Sequence, residues 1–131
     1  MKSPRLVLII VALLAVLFGG SADAQTNVTP GRTLAFDQPA VSVDEANSFE
    51  YRAYFDGSAS PVSLSPVVCS AAVAGSPVGT FPCEVPFPAS TPGAHTMVAT
   101  ATNIGGESLP STPFDFFFVV LPNPPRNLRL R

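Results

Sequence analysis

The apolar positions of this chain form one unbroken run near the N-terminus, followed by many short runs. From residue 25 onward, stretches rich in Val, Thr, Phe and Tyr recur about every ten residues. Gly, Pro, Asn and Asp separate these stretches. Fourteen prolines between Pro30 and Pro125 leave no window with the 3.6-residue apolar period of a helix. The pattern is typical of an antiparallel β-sandwich or barrel, with almost no helix.

Six runs are long enough to predict strands. In the run 94–102 the apolar side chains alternate, so that His95 and Met97 share one face of the predicted strand. The pair Asp56-Gly57 is a turn signal that ends the second run. At the last strand, Phe117 is expected on the face opposite to its aromatic neighbours. The predicted strands are residues 33–36, 48–55, 62–73, 80–87, 94–102 and 114–121, the last of them at a sheet edge.

The N-terminal run has the features of an export signal. Lys2 and Arg5 precede 13 consecutive apolar residues, 6–18, which is short of the roughly 20 that span a bilayer. Small residues follow, and Ala24 occupies the position before the predicted cleavage site at Gln25. The sequence thus predicts a signal peptide at 1–24, with an uncleaved anchor as the alternative. The mature chain is expected to be secreted or periplasmic and to have no membrane association after cleavage.

Charge is sparse in the predicted mature domain. Residues 25–121 hold two basic and eight acidic side chains, whereas Arg126, Arg129 and Arg131 lie in a Pro/Arg-rich tail at 122–131. A mildly acidic body argues against a nucleic-acid partner, because such partners select a basic face. Length and composition predict a single domain at 25–121.

Two cysteines remain in the predicted exported chain. In an oxidising compartment an even pair of cysteines indicates a disulfide. Cys69 and Cys83 each lie seven residues from Ser76, which is the middle residue of a Gly-Ser-Pro turn signal. A hairpin centred on Ser76 would therefore place the two cysteines opposite each other on neighbouring strands, and we expect one structural disulfide between them.

The segment from His95 to Ser108 resembles the F strand and F–G turn of fibronectin type III domains. Phe36 and Pro39 resemble that family's Trp-x-x-Pro motif, with Phe in place of Trp, and residues 51–57 look like its strand C. The resemblance covers residues 32–121 and implies an immunoglobulin-like antiparallel β-sandwich of about six to seven strands. The matching positions in the F–G segment are Ala101, Asn103, Gly106 and Ser108.

The sequence departs from the fibronectin type III pattern at two places, and each departure leads to an expectation about the structure. His95 stands where the family has the tyrosine of its structural corner, so it is expected to hydrogen-bond backbone in the same way. Only residues 25–32 remain to form a first strand, and that strand is expected to be thin or missing. Residues 122–131 resemble the linker and first-strand start of a type III domain. We therefore expect residues 127–130 to pair with an open sheet edge, in this molecule or in a neighbour, with a frayed tail as the alternative.

Candidate chemistry is scarce, and the sequence predicts no enzyme, no cofactor and no metal site. The acidic residues Asp44, Glu45, Glu50 and Asp56 flank a strand and its loops, where carboxylates are usually solvated. The lone histidine lacks fellow metal ligands, and no calcium-loop spacing occurs.

The expected function is a binding or structural module that contacts a protein partner at the cell surface, with self-association through a sheet edge as an alternative contact. The alternative is a carbohydrate-binding module. Its candidate aromatic residues are Tyr51, Tyr54, Phe114, Phe116, Phe117 and Phe118, and the chain has no Trp. The triplet at Asn27 matches an N-glycosylation site, and its use is left open.

Overall fold

The computed structural model describes residues 25–131. The predicted signal peptide, 1–24, lies outside these residues, as does Ala24 at its end. The described part contains nine strands and one short helix, α1. The strands are β1 (Thr26–Val28), β2 (Thr33–Pro39), β3 (Glu50–Phe55), β4 (Val62–Leu64), β5 (Val68–Cys69), β6 (Thr80–Pro86), β7 (Gly93–Asn103), β8 (Gly106–Glu107) and β9 (Phe114–Phe118), with α1 at Val43–Ser48.

The strands form two sheets that pack face to face. The large sheet has the order β1-β9-β7-β3-β4, and β8 pairs with the far end of β7. The small sheet has the order β2-β6-β5. Except for the parallel pair of β1 and β9, all neighbours are antiparallel. The predicted all-β sandwich with one disulfide is confirmed.

The core lies between the sheets because side chains alternate along each strand. Phe116 and Phe118 of β9 are buried, whereas Phe117 between them is 41% exposed. Phe116 is in edge contact with Phe87, whose ring centroid lies 5.0 Å away. The remaining buried members of this cluster are Val28, Tyr51, Ala53, Leu64, Val85 and Met97.

A second, smaller cluster surrounds the disulfide. Cys69 of β5 pairs directly with Cys83 of β6, as the spacing from Ser76 predicts, and the two form a disulfide. Helix α1 packs over it through the fully buried Ala46. The side chain of Asn47 accepts from the Cys69 N–H at 2.8 Å and donates to the Cys69 carbonyl at 3.0 Å. The Tyr51 hydroxyl donates to the Ala46 carbonyl, and burial raises the pKa of Tyr51 to about 12.

Three sequence predictions need correction. Residues 62–73 do not form one strand: β4 pairs with β3 in the large sheet, and β5 pairs with β6 in the small one. Pro66 lies between them and has no N–H to continue a ladder. The predicted strand 48–55 begins two residues later, at Glu50, because helix α1 precedes it. Ser42 is the N-cap of this helix and accepts from the Glu45 N–H.

The third correction concerns the last strand. β9 ends at Phe118 and is not at an edge, because β1 pairs outside it. The expected thin first strand exists as three residues. It binds β9 in the large sheet and leaves β2 without a neighbour on one side.

Candidate functional site

The outer side of β2 is an open sheet edge. At the two ends of the strand, the Phe87 N–H donates to the Arg32 carbonyl at 2.8 Å and the Ala40 N–H donates to the Gly79 carbonyl at 3.0 Å. Hydrogen-bonded positions alternate in an antiparallel pair, so the even-numbered residues of β2 face β6. The backbone groups of Thr33, Ala35 and Asp37 therefore point to the open side.

The edge is open because β1 has another partner. Val28 pairs with Phe118, and the Val119 N–H donates to the Val28 carbonyl at 2.8 Å. Gln25, the predicted first residue of the mature chain, donates from its side chain to the Phe116 carbonyl at 2.9 Å. These contacts hold residues 25–28 on the large sheet, away from β2.

A groove of about 850 Å³ runs between the open edge of β2 and the inner face of the large sheet. Leu34 and Phe36 of β2 line one wall, and Met97 and Phe114 line the other. Leu34, Phe36 and Phe114 face the core cluster yet are only partly buried. Apolar side chains that pack on one side and are uncovered on the other form a surface suited to a partner.

The far wall of the groove is held in place by two serines. Ser108 and Ser111 accept from the N–H groups of Ala101 and Ala99 through their side chains, each at 3.0 Å. Their own N–H groups donate to the carbonyls of the same two residues, at 2.8 and 2.9 Å. The segment between β8 and β9 is thus fixed against β7, and the groove is formed before any partner arrives.

The outer face of the small sheet is acidic beside the groove, whereas the groove lining itself includes the basic residue Arg32. Asp37 lies on the outer face of β2, and Glu84 lies directly beside Ala35 on the same face of β6. Both side chains are exposed. A strand added at this edge would therefore meet a negative outer face and an apolar inner one.

His95 lies on β7, two residues from the groove-lining Met97, and ties three segments together. Its Nδ1 is 2.7 Å from a carboxylate oxygen of Asp56, and its Nε2 is 2.7 Å from the Thr91 carbonyl. Asp56 also accepts from the Thr96 N–H at 2.9 Å. The imidazole is 14% exposed and lies 5.6 Å from the Phe116 ring, centroid to centroid. Since both ring nitrogens face acceptors, the geometry favours the doubly protonated cation.

The His95–Asp56 pair is expected to make the free energy of unfolding depend on pH. Hydrogen bonding to Asp56 raises the pKa of His95 above 6.5, and the same bond lowers the pKa of Asp56 below 3.8. The stabilisation from His95 is complete below pH 6.5 and is lost as the pH rises through the raised pKa; that from Asp56 is lost as the pH falls below 3.8. We expect the pair to contribute most between these two values. A thermal unfolding series across pH 3 to 9 measures it.

The chain's single histidine allows a direct check by NMR titration. We expect its pKa above 6.5 in the native protein and a lower value in Asp56→Asn. Asn suits this position because Asp56 has a φ of 51°, in the left-handed region that Asn tolerates. An unchanged titration in Asp56→Asn would contradict the pairing.

A second polar cluster surrounds Glu107 on the outer face of the large sheet. Thr100 and Tyr54 donate to the same carboxylate oxygen, at 2.6 and 2.5 Å, and Arg52 lies 3.9 Å from the other oxygen. Hydrogen bonds from Thr100 and then Tyr54 lower the pKa of Glu107, while the bond to Glu107 raises the pKa of Tyr54. An ionised Glu107 carboxylate that is hydrogen-bonded in this way suits a residue that anchors β8. A general acid would instead require a raised pKa.

Three of the six aromatic residues considered for sugar binding are buried in the core. Tyr51, Phe116 and Phe118 are buried, so they are not available for stacking on a sugar. Phe117 and Tyr54 both face outward on the large sheet but are separated by β7, and the Tyr54 hydroxyl is already bonded to Glu107. Asn27 of the glycosylation triplet is exposed beside Phe117.

The remaining candidate groups are dispersed. Glu45 accepts from the Val41 N–H at the start of α1, and Glu50 lies 3.7 Å from Arg52. Residues 25–131 contain no cluster of three His, Cys, Asp or Glu side chains that could hold a metal ion.

Sequence reasoning missed Asp56 as the partner of His95 and missed the helix. The spacing Ser42-x-x-Glu45 is a capping-box signal that identifies the helix start. No local signal shows that β2 has an open edge, because that depends on which strand β1 joins.

Within residues 25–131, no helix has the length and hydropathy that crossing a membrane requires. Comparison with protein-family models, with curated proteins and with solved structures finds no match to this chain.

Proposed function

We propose that this chain is an exported, non-enzymatic binding module that takes up an extended segment of a partner protein as an added strand on β2. The observation that carries the proposal is the open β2 edge beside an uncovered apolar groove. Strand addition needs unpaired backbone groups for affinity and pockets for alternate side chains for specificity. The free backbone groups of Thr33, Ala35 and Asp37, together with the groove, supply both.

Other features support the proposed compartment of the chain and the proposed class of its partner. The Cys69–Cys83 disulfide is typical of proteins that mature in an oxidising environment, in keeping with secretion or the periplasm. The acidic body favours a protein partner over a nucleic acid. The resemblance to fibronectin type III domains supports a binding role, since the F–G segment that carries it also builds a wall of the groove.

Blocking the edge is expected to abolish strand addition. In Ala35→Pro the lost N–H is one that β6 does not use, and proline is tolerated on an edge strand. We expect peptides selected from a displayed random library on the native protein to show alternating apolar residues, and to bind Ala35→Pro at least about tenfold more weakly. Titration of selected synthetic peptides measures the affinity.

The matched control is Ala35→Thr, which keeps the N–H and suits a strand. It is expected to bind the peptides as the native protein does. Selected peptides that bind Ala35→Pro and the native protein equally would refute strand addition. A glycan array with Phe117→Ala as its control tests the carbohydrate alternative, and glycan binding lost in that variant would replace the present proposal.

A further inference from the structure

The tail at 122–131 has the pattern of a strand that fits the β2 edge. After three prolines, the residues Leu128-Arg129-Leu130-Arg131 alternate apolar and basic side chains. Leu128 is 86% exposed and Leu130 is 102% exposed. Exposed alternating leucines are unusual on a protein surface unless they have a partner. No residue of the tail lines the groove of its own molecule.

The tail matches the β2 edge on both faces that an added strand would have: one apolar face toward the groove and one basic face toward the acidic side chains. On β2, Leu34 and Phe36 point into the groove, whereas Asp37 and the neighbouring Glu84 are on the outer face. A strand beside β2 with Leu128 and Leu130 directed inward would place its arginines on that acidic outer face, because successive side chains alternate. Apolar contacts and charge therefore agree on one orientation of the strand.

The proline-rich residues 122–126 form a spacer before the Leu-Arg segment. This spacer favours a second molecule, and not the same one, as the acceptor of that segment. The last backbone hydrogen bond between this end of the chain and the sheets is from the Val119 N–H to the Val28 carbonyl. Pro122, Pro124 and Pro125 follow, and proline-rich segments extend by about 3.1 Å per residue and resist reversal. The residue before each proline is also restricted to extended backbone. The spacer therefore projects the Leu-Arg strand away from its own β2.

We propose that residues 128–131 of one copy bind as an added strand along β2 of a second copy, with the leucines in the groove and the arginines against Asp37 and Glu84. This inference rests on the proposed function and names its partner as the chain itself. A strand of four residues buries little area, so the association is expected to be weak and concentration-dependent. Reciprocal exchange gives a closed dimer, and one-way exchange gives a growing chain.

Complementation between two variants tests the proposal. Leu128→Asp with Leu130→Asp disables the tail and leaves the groove intact, while Ala35→Pro blocks the edge and leaves the tail intact. We expect each variant alone to associate at least about tenfold more weakly than the native protein in sedimentation velocity up to about 1 mM. An equimolar mixture of the two is expected to associate again, because each supplies the part that the other lacks.

Folding failure does not confuse this result, since both leucines are exposed and unfolding of each variant is followed in parallel. A native protein that stays monomeric throughout, or a mixture that associates no better than its components, would overturn the inference. If peptide selection still depends on Ala35 in that case, strand addition stands and the partner is another protein. If peptide selection also fails, the proposed function falls with it.

Discussion

Replacing Phe116 by alanine is expected to lower the free energy of unfolding by about 3–5 kcal/mol. The ring is fully buried at the centre of the large sheet's inner face. It contacts Phe55, Phe87, His95 and Phe114, with ring centroids between 5.0 and 6.1 Å apart. Truncation removes these contacts and leaves a cavity that strands on both sides prevent from collapsing. Urea unfolding followed by far-UV circular dichroism measures the loss.

Phe117→Ala is the matched control, because it makes the same chemical change one residue along the same strand. Phe117 is 41% exposed and faces outward, so the expected loss is about 1 kcal/mol or less. Equal losses for the two variants would contradict the assigned faces of β9 and with them the register against β7 and β1. The pair of measurements thus tests the core and the strand alternation together.

Removal of the disulfide is expected to cost about 3 kcal/mol, the amount that the chain-entropy model assigns to a closed loop of about 15 residues. Cys69 and Cys83 are 14 positions apart and join the two strands β5 and β6. β5 is only two residues long, so few backbone hydrogen bonds hold it in the sheet. We expect complete reduction of the native protein to lower its unfolding midpoint in urea by the corresponding amount.

The double variant Cys69→Ala with Cys83→Ala separates this effect from other actions of the reductant. It is expected to start at the lower stability and to show no further change on reduction. A native protein whose midpoint is unaffected by full reduction would refute a stabilising role for the disulfide. Because Asn47 bonds the Cys69 backbone, we also expect α1 to exchange its amide protons faster after reduction.

The groove beside β2 leaves part of the core uncovered. The groove exists because core-facing residues such as Leu34 and Phe36 lack cover on the β2 side. A bound strand would bury them, so we expect ligands of this edge to raise the unfolding temperature. Phe116 is not part of the groove's lining, although its ring contacts the lining residues Phe87 and Phe114.

Much of the architecture could be predicted from local pattern. Period-two alternation along β7 and β9 is visible in the sequence and decides which side chains enter the core, since neighbouring side chains of a strand point to opposite faces. The disulfide was also predictable, because two cysteines equidistant from a turn must face each other across a hairpin. The export signal at 1–24, the family resemblance and the binding role stay predictions.

Only the tertiary structure decided which strand pairs with which. β1 joins β9 in parallel because Val28 is then buried beside Phe118, although its backbone groups would pair equally well with β2. Other long-range pairings divide residues 62–73 between two sheets, and the pairing of β3 with β7 brings Asp56 to His95 across 39 positions. Backbone donors and acceptors are alike at every residue except proline, so a sequence can show that a strand forms without showing its partner. The open β2 edge, on which both proposals depend, is a consequence of that long-range choice.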